Sequence, residues 1–119
     1  MKYETFIKLC SKALEKDMTL GVFSPELYKY MTHKPYDETP VDNFCFRYKD
    51  FDFCFLIYLT IKGGLVEPTY VVYLSVLADG VVEVDHFIGF NPEEINLVLE
   101  LYKRKEQQLE EALKEFLES

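Results

Sequence analysis

The chain has 119 residues, of which 49% are hydrophobic and 16% aromatic, and its net charge is -8. This size suits one domain, residues 1–119, with a core of ordinary size, and the composition argues against disorder. The negative charge repels phosphate backbones and anionic lipids, so direct binding to nucleic acid or membrane is disfavoured.

Targeting and cofactor signals are absent from the sequence. No apolar run approaches the roughly 20 residues of a membrane helix, and Glu4 and Lys8 interrupt the amino terminus, so we expect a cytoplasmic protein. Three cysteines with no CxxC motif and no Cys/His cluster predict neither a disulfide scaffold nor a structural zinc site. We expect no metal and no other cofactor.

The first third of the chain predicts two helices and a loop. Apolar residues with helical spacing indicate a first helix from Lys2 to Lys16. A Ser-Pro-Glu segment, typical of a helix start, predicts a short second helix from Ser24 to about Thr32. The segment from His33 to Asn43 contains two prolines and several acidic residues, so we expect a surface loop there.

The middle of the chain predicts an aromatic hairpin. From Phe44 to Ile61, aromatic or aliphatic residues recur at every second position, which is the period of a strand. A two-residue turn at Lys49 and Asp50 places aromatic side chains opposite each other on one face and an opposite-charge pair on the other. The predicted pairs are Tyr48 with Phe51, Phe46 with Phe53, Phe44 with Phe55, Arg47 with Asp52 and Cys45 with Cys54.

A second hairpin follows, with a third strand from Thr69 to Leu77. A two-residue Asp79-Gly80 loop would set acidic residues opposite aliphatic ones in the fourth strand. A three-residue loop, with Gly80 in the left-handed conformation and a bulge, sets aliphatic residues opposite each other, and we therefore predict it. The predicted pairs, whose side chains form the core face together with Val72, are Val76 with Val82, Leu74 with Val84 and Tyr70 with Ile88.

The last quarter of the chain predicts a long helix. Asn91-Pro92-Glu93-Glu94 combines an N-cap residue, a proline at the first helical position and a glutamate suited to a capping box. The apolar stripe that follows is broken at Lys105 and Glu106 and continues almost to Ser119, so we expect the last turns to extend past the sheet. The predicted fold is α+β: a four-stranded antiparallel meander with two amino-terminal helices and one long carboxy-terminal helix, in the order ααββββα.

Few residues suggest chemistry. We interpret His86 as a structural or surface residue, because the adjacent Asp85 points to the opposite face of the strand. Cys45 and Cys54 could form a cross-strand disulfide, but in a cytoplasmic chain we favour two buried thiols. The acidic residues near the first hairpin have no DxDxDG order and are interpreted as solvated.

The second face of the predicted sheet is apolar and is edged by Glu83 and Asp85. Either helices cover it, or it contacts another protein, including a second copy in a homodimer. Tyr58 and Tyr73 would anchor such a contact, since tyrosine combines a large contact area with a polar tip. The other members of this predicted face are Cys54, Leu56, Val71, Ser75, Leu77, Val81 and Phe87.

These features favour a small acidic non-catalytic protein-protein interaction module. A sharper hypothesis is an inhibitor of the kind made by phages or mobile elements, whose carboxylates occupy a basic, nucleic-acid-binding site on a partner protein. The alternative is a ligand-binding or enzymatic domain with a pocket between helices and sheet that uses tyrosines and His86. The carboxylates of the inhibitor hypothesis are those of Asp37, Glu38, Asp42, Glu83, Asp85, Glu93 and Glu94.

Overall fold

The computed structural model describes residues 1–22, 38–60 and 69–119. Within these ranges the fold is α+β, with one four-stranded antiparallel sheet in the order β1-β2-β3-β4 and one helix before and one after it. The described residues thus contain one amino-terminal helix, not two, and the predicted second helix from Ser24 to about Thr32 falls outside them. The elements are α1 (Tyr3–Glu15), β1 (Glu38–Tyr48), β2 (Phe51–Thr60), β3 (Thr69–Ala78), β4 (Val81–Phe87) and α2 (Pro92–Glu118).

The first hairpin confirms the predicted register, residue for residue from Phe44 to Phe55. Lys49 adopts a left-handed φ of 55° in the turn, a conformation for which such turns usually contain glycine. The prediction of a loop up to Asn43 was wrong for its second half, because β1 already begins at Glu38. Pro40 is tolerated there because β1 is an edge strand, and the register shifts between Pro40 and Asp42.

The second hairpin corrects the predicted three-residue loop. Its turn has two residues, Asp79 and Gly80, both with positive φ (50° and 78°), which is the primed geometry that matches strand twist. The observed pairs are Ala78 with Val81, Val76 with Glu83, Leu74 with Asp85 and Val72 with Phe87.

This register changes which face each residue of β4 occupies. Phe87, predicted on the second face, is 5% exposed in the helix-covered core, whereas Val84 and Ile88, predicted in the core, are 44% and 45% exposed. Glu83 and Asp85 lie on the helix-covered face instead of beside the second face. Acidic residues fit there because β4 is an edge strand, where a carboxylate can reach solvent or an ion partner.

Both helices pack on the same face of the sheet. Phe6 of α1 stacks on Phe87 with ring centroids 4.2 Å apart and also contacts Phe55 at 5.9 Å. The buried residues of this core come from α1, from α2, from all four strands and, with Leu20, from the segment after α1. They are Phe6, Cys10, Ala13, Leu20, Phe44, Phe46, Phe55, Ile57, Val72, Leu74, Phe87, Ile95, Val98 and Leu101.

The second face of the sheet carries a smaller buried cluster. Cys54, Leu56 and Tyr58 are at most 1% exposed, and Tyr73 and Leu77 pack against them. The rings of Tyr58 and Tyr73 meet edge to face at 5.5 Å. Of the described elements, only strands contribute to this cluster, yet its centre is buried within a single chain.

The start of α2 confirms the predicted capping box. The Asn91 side chain accepts a hydrogen bond from the Glu94 N–H at 2.8 Å, and Glu94 Oε1 accepts one from the Asn91 N–H at 3.1 Å. Pro92 occupies the first turn, where its missing N–H costs no helical hydrogen bond. From this cap the helix runs for 27 residues.

Candidate interaction surface

The carboxy-terminal end of α2 projects beyond the rest of the fold, as its length predicts. Among the described residues, Gln108 is the last on α2 with hydrogen bonds to the body: its Oε1 accepts from the Leu20 N–H at 2.7 Å, and its Nε2 donates to the Met18 carbonyl at 3.0 Å. Every residue from Leu109 to Ser119 is exposed. We call residues 109–119 the α2 tail.

An apolar stripe follows one side of the α2 tail. Leu109, Leu113 and Phe116 are spaced by four and three residues, so they share a helix face. They are 44%, 58% and 75% exposed, and the adjacent Leu117 is 72% exposed. Single exposed apolar residues are normal on soluble proteins, but four in three turns form a contiguous patch, which is typical of an interaction site.

The charges around this stripe are strongly acidic. Residues 106–118 include five glutamates and one lysine. The last turn of α2 has no basic residue to complement the negative end of the helix dipole. A basic surface would therefore be favoured beside the stripe, and a second acidic tail would be disfavoured.

A small apolar groove with a basic rim lies between α1 and the tip of the first hairpin. Its volume is about 220 Å³. Lys12 and Lys16 stand on its rim, and the Lys16 ammonium lies 5.6 Å from the centre of the Tyr48 ring. We call it the α1 groove; it is lined by Leu9, Lys12, Ala13, Lys16, Met18, Phe46, Tyr48 and Phe53.

Lys105 is a buried charge that ties α2 to the edge of the sheet. Its side chain is 3% exposed and donates to Asp42 Oδ1 at 2.7 Å and to the Asn43 carbonyl at 2.6 Å. The ammonium also lies 5.0 Å from the centre of the Tyr102 ring. Lys105 interrupts the apolar stripe of α2 in the sequence, and in the structure it forms a buried ion pair with Asp42.

Asp42 is held in its charged form by the same contacts. Burial by itself would raise the pKa of this carboxyl, but hydrogen bonds from Lys105, the Asn43 N–H and Tyr102, together with the charge of Lys105, lower it overall. The hydrogen bond to Asp42 correspondingly raises the pKa of Tyr102. Asp42 therefore stabilises the fold as an anion.

We predict that this carboxylate contributes to the acid sensitivity of the fold. The unfolded chain binds the proton more tightly, so the contribution is complete above the ordinary aspartate pKa of about 3.9 and is lost as pH falls through the folded-state pKa. Urea unfolding at a series of pH values should show a smaller acid loss in Asp42→Asn than in the unmodified protein. Parallel pH profiles would contradict this prediction.

The residues predicted to anchor a partner on the second face are mostly inside the fold. Leu56 and Tyr58 are buried within the chain, and Phe87 is in the other core, so in this arrangement they present no surface to a partner. Tyr73 is half-buried, and its ring lies 6.1 Å from that of the exposed His86. The structure places these two side chains together, and a contact of Tyr73 with a partner stays a prediction.

The acidic residues of the inhibitor hypothesis are dispersed. Asp37 falls outside the described residues, and Glu38 begins β1. The carboxylate of Asp42 is engaged by Lys105, and that of Asp85 lies 2.8 Å from the terminal ammonium of Met1. Glu83 and Glu93 are exposed, whereas Glu94 completes the capping box and accepts a hydrogen bond from the Tyr3 hydroxyl at 3.0 Å.

The acidic α2 tail and the α1 groove were not among the sequence-predicted site residues. The tail could have been found, because Leu109, Leu113 and Phe116 lie on the part of the helix that was expected to extend past the sheet. The groove could not, because it joins residues from α1 and the hairpin. His86 lies on the opposite face of the sheet from this groove and does not line it.

In comparisons with known proteins, no family model, curated protein or solved structure matches the chain. Within residues 1–22, 38–60 and 69–119, no three His, Cys, Asp or Glu side chains are grouped so that they could hold a metal ion. Neither described helix is long and apolar enough to span a membrane.

Proposed function

We propose that the protein is a non-catalytic protein-interaction module that inserts its α2 tail into an apolar, basic-rimmed groove. The observation that carries this proposal is the exposed stripe of Leu109, Leu113 and Phe116, which follows the hydrogen bonds of Gln108 to the body. An amphipathic helix that lays its apolar side into a groove is a common mode of protein recognition. The glutamates that flank the stripe select for basic residues around the groove.

The chain itself offers a groove of this kind, so we propose that the occupant is the tail of a second copy. The α1 groove has apolar walls from Leu9, Met18 and Phe53 and a basic rim from Lys12 and Lys16. Its volume of about 220 Å³ suits insertion of one or two large apolar side chains from the tail. Pairing tail with groove joins opposite charges, whereas pairing tail with tail would bring eight glutamates together, four from each copy.

Sedimentation of the full chain over a wide concentration range tests this proposal. The unmodified protein should dimerise, and Phe116→Ser should weaken the dimer by at least tenfold, because the loss of an aromatic anchor typically costs about 1.4 kcal/mol or more. Ile88→Ser is the matched control, since Ile88 is 45% exposed on the body of the protein. A monomer at every concentration, or equal effects of the two substitutions, would contradict the proposal.

A charge-exchange experiment tests the partner surface directly. Reversing the rim with Lys12→Glu and Lys16→Glu should disrupt the dimer, and so should reversing the tail with Glu110→Lys and Glu115→Lys, the tail glutamates nearest the stripe on its two sides. The combined variant should dimerise again, because it restores opposite charges between tail and groove. Failure of the combined variant to recover would argue against this pairing of surfaces.

The inhibitor hypothesis has one supporting observation, the density of glutamates on the α2 tail. In this proposal the tail itself would occupy the nucleic-acid-binding site of a basic protein. The affinity of the chain for such a protein, measured by competition with DNA or RNA, would then fall steeply with added salt. An affinity that hardly changes between low and high salt would rule out electrostatic mimicry.

A further inference from the structure

Cys45 and Cys54 stand directly opposite each other on neighbouring strands. They are paired residues of β1 and β2, and their side chains share the second face of the sheet with Leu56 and Tyr58. Both are free thiols in the structure. Cys10, the third cysteine, is fully buried in the other core and has no part in this pair.

The backbone places this pair in the register that brings opposing side chains closest. The N–H and carbonyl of Cys45 bond to Gly21, at 2.9 and 2.8 Å, on the outer side of β1. Both groups therefore point away from β2, which makes Cys45 and Cys54 a non-hydrogen-bonded pair. Such pairs have Cα atoms about 4.5 Å apart, and a disulfide requires about 4.4 to 6.8 Å.

The two thiols differ in access. Cys54 is 1% exposed, whereas Cys45 is half-buried. Gly21 lies beside Cys45, and a methyl group at Gly21 would stand 3.5 Å from the Cys45 sulfur. The missing side chain at Gly21 thus leaves room next to the more accessible sulfur.

The two thiols also differ in acidity. A hydrogen bond from the Cys54 thiol stabilises the Cys45 thiolate and lowers the pKa of Cys45 to about 7; burial and the charge of Asp52 oppose this, and Gly21 and Lys105 assist it. The same hydrogen bond and burial raise the pKa of Cys54. The thiolate form is therefore favoured at Cys45 over Cys54.

We propose that Cys45 and Cys54 are a redox-active pair that forms a reversible disulfide by exchange with a low-molecular-weight disulfide. The Cys45 thiolate attacks one sulfur of the small disulfide, which breaks its S–S bond and releases one thiolate. Cys54 then loses its proton to solvent and attacks the Cys45 sulfur of the mixed disulfide, which releases the second small thiolate. The protein is oxidised by two electrons and the small disulfide is reduced to two thiols.

The resulting bond should be open to reduction from the Cys45 side. Cys45 is half-buried, so a small thiol can reach its sulfur, whereas Cys54 is 1% exposed. Exposed disulfides are the labile or regulatory ones. The pair is accordingly suited to switching between states and not to permanent cross-linking.

Incubation of the full chain with oxidised glutathione, followed by intact-mass measurement, tests this proposal. The unmodified protein should lose two hydrogens, peptide mapping should locate the bond between Cys45 and Cys54, and reduced glutathione should reverse it. Cys54→Ala should instead retain one glutathione on Cys45, because the second attack is impossible. Cys45→Ser should retain none, because Cys54 is buried.

Gly21→Ala serves as the matched control for access. Its backbone is not in the left-handed region and its methyl group meets the Cys45 sulfur at an ordinary contact distance, so it should fold normally and form the disulfide a few-fold more slowly. If the unmodified, folded protein keeps three free thiols under these conditions, the proposal is overturned, whatever the variants do. A glutathione adduct on Cys10 in place of the Cys45 to Cys54 bond would also overturn it.

Discussion

Replacing Asp42 with alanine is expected to lower the free energy of unfolding by about 3 to 5 kcal/mol, the usual result of removing one partner of a buried ion pair. The Lys105 side chain is 3% exposed, and Asp42 is the closest counter-charge of its ammonium, at 2.7 Å. Without Asp42 it keeps the Asn43 carbonyl and a longer contact to Glu106 at 3.4 Å. Because Glu106 still offsets part of the charge, we expect the lower end of this range, measured by urea unfolding.

Two comparisons separate the buried pair from a general effect of charge removal. Asp52→Ala removes an exposed ion pair with Arg47, at 3.2 Å, and should cost at most about 1 kcal/mol. Combining Asp42→Ala with Lys105→Met should recover much of the loss, since no unpaired charge then stays buried. If Asp42→Ala lowers the free energy of unfolding by no more than Asp52→Ala does, the burial of Lys105 does not require Asp42 as a counter-charge.

The parts of the fold that were predicted correctly depend on local signals. The first hairpin follows from alternation and from the Arg47 and Asp52 pair, and the start of α2 follows from Asn91 and Glu94. Each of these is decided by residues close together in the chain. Local sequence therefore contains enough information to place them.

The second hairpin was predicted wrongly because local and tertiary criteria disagreed. The predicted register keeps Glu83 and Asp85 away from aliphatic residues. This would be required if β4 were covered on both sides. At an edge strand this placement carries little cost, and the Asp79-Gly80 turn with two positive φ angles decides the register instead. Edge position depends on the whole sheet, so sequence alone could not supply it.

The candidate site was predictable only in part. Lys105 lies in line with Leu101 and Leu109 on α2, and a charge at such a position signals that a counter-charge is required. Its partner Asp42 lies 63 residues away in sequence, which no local pattern reveals. The opposition of Cys45 and Cys54 was predicted, but their unequal access depends on Gly21, which only the folded chain brings beside Cys45.

Replacing Leu56 with alanine is expected to lower the free energy of unfolding by about 2 to 5 kcal/mol, as for other fully buried leucines. Leu56 is 1% exposed in a single chain and packs in the cluster with Cys54 and Tyr58. The sequence allowed this face to be covered either by the chain itself or by another protein. The measured loss distinguishes the two, because burial within one chain stabilises the monomer.

Leu113→Ala is the matched control at protein concentrations where the chain is monomeric, since Leu113 is 58% exposed on the α2 tail and should change monomer stability by no more than about 0.5 kcal/mol. Unfolding should be followed at several protein concentrations. A loss at Leu56 that is independent of concentration places the second face inside the monomer and leaves the tail as the exposed apolar surface. A loss that grows with concentration would instead make the second face part of an interface between copies, because association stabilises by mass action.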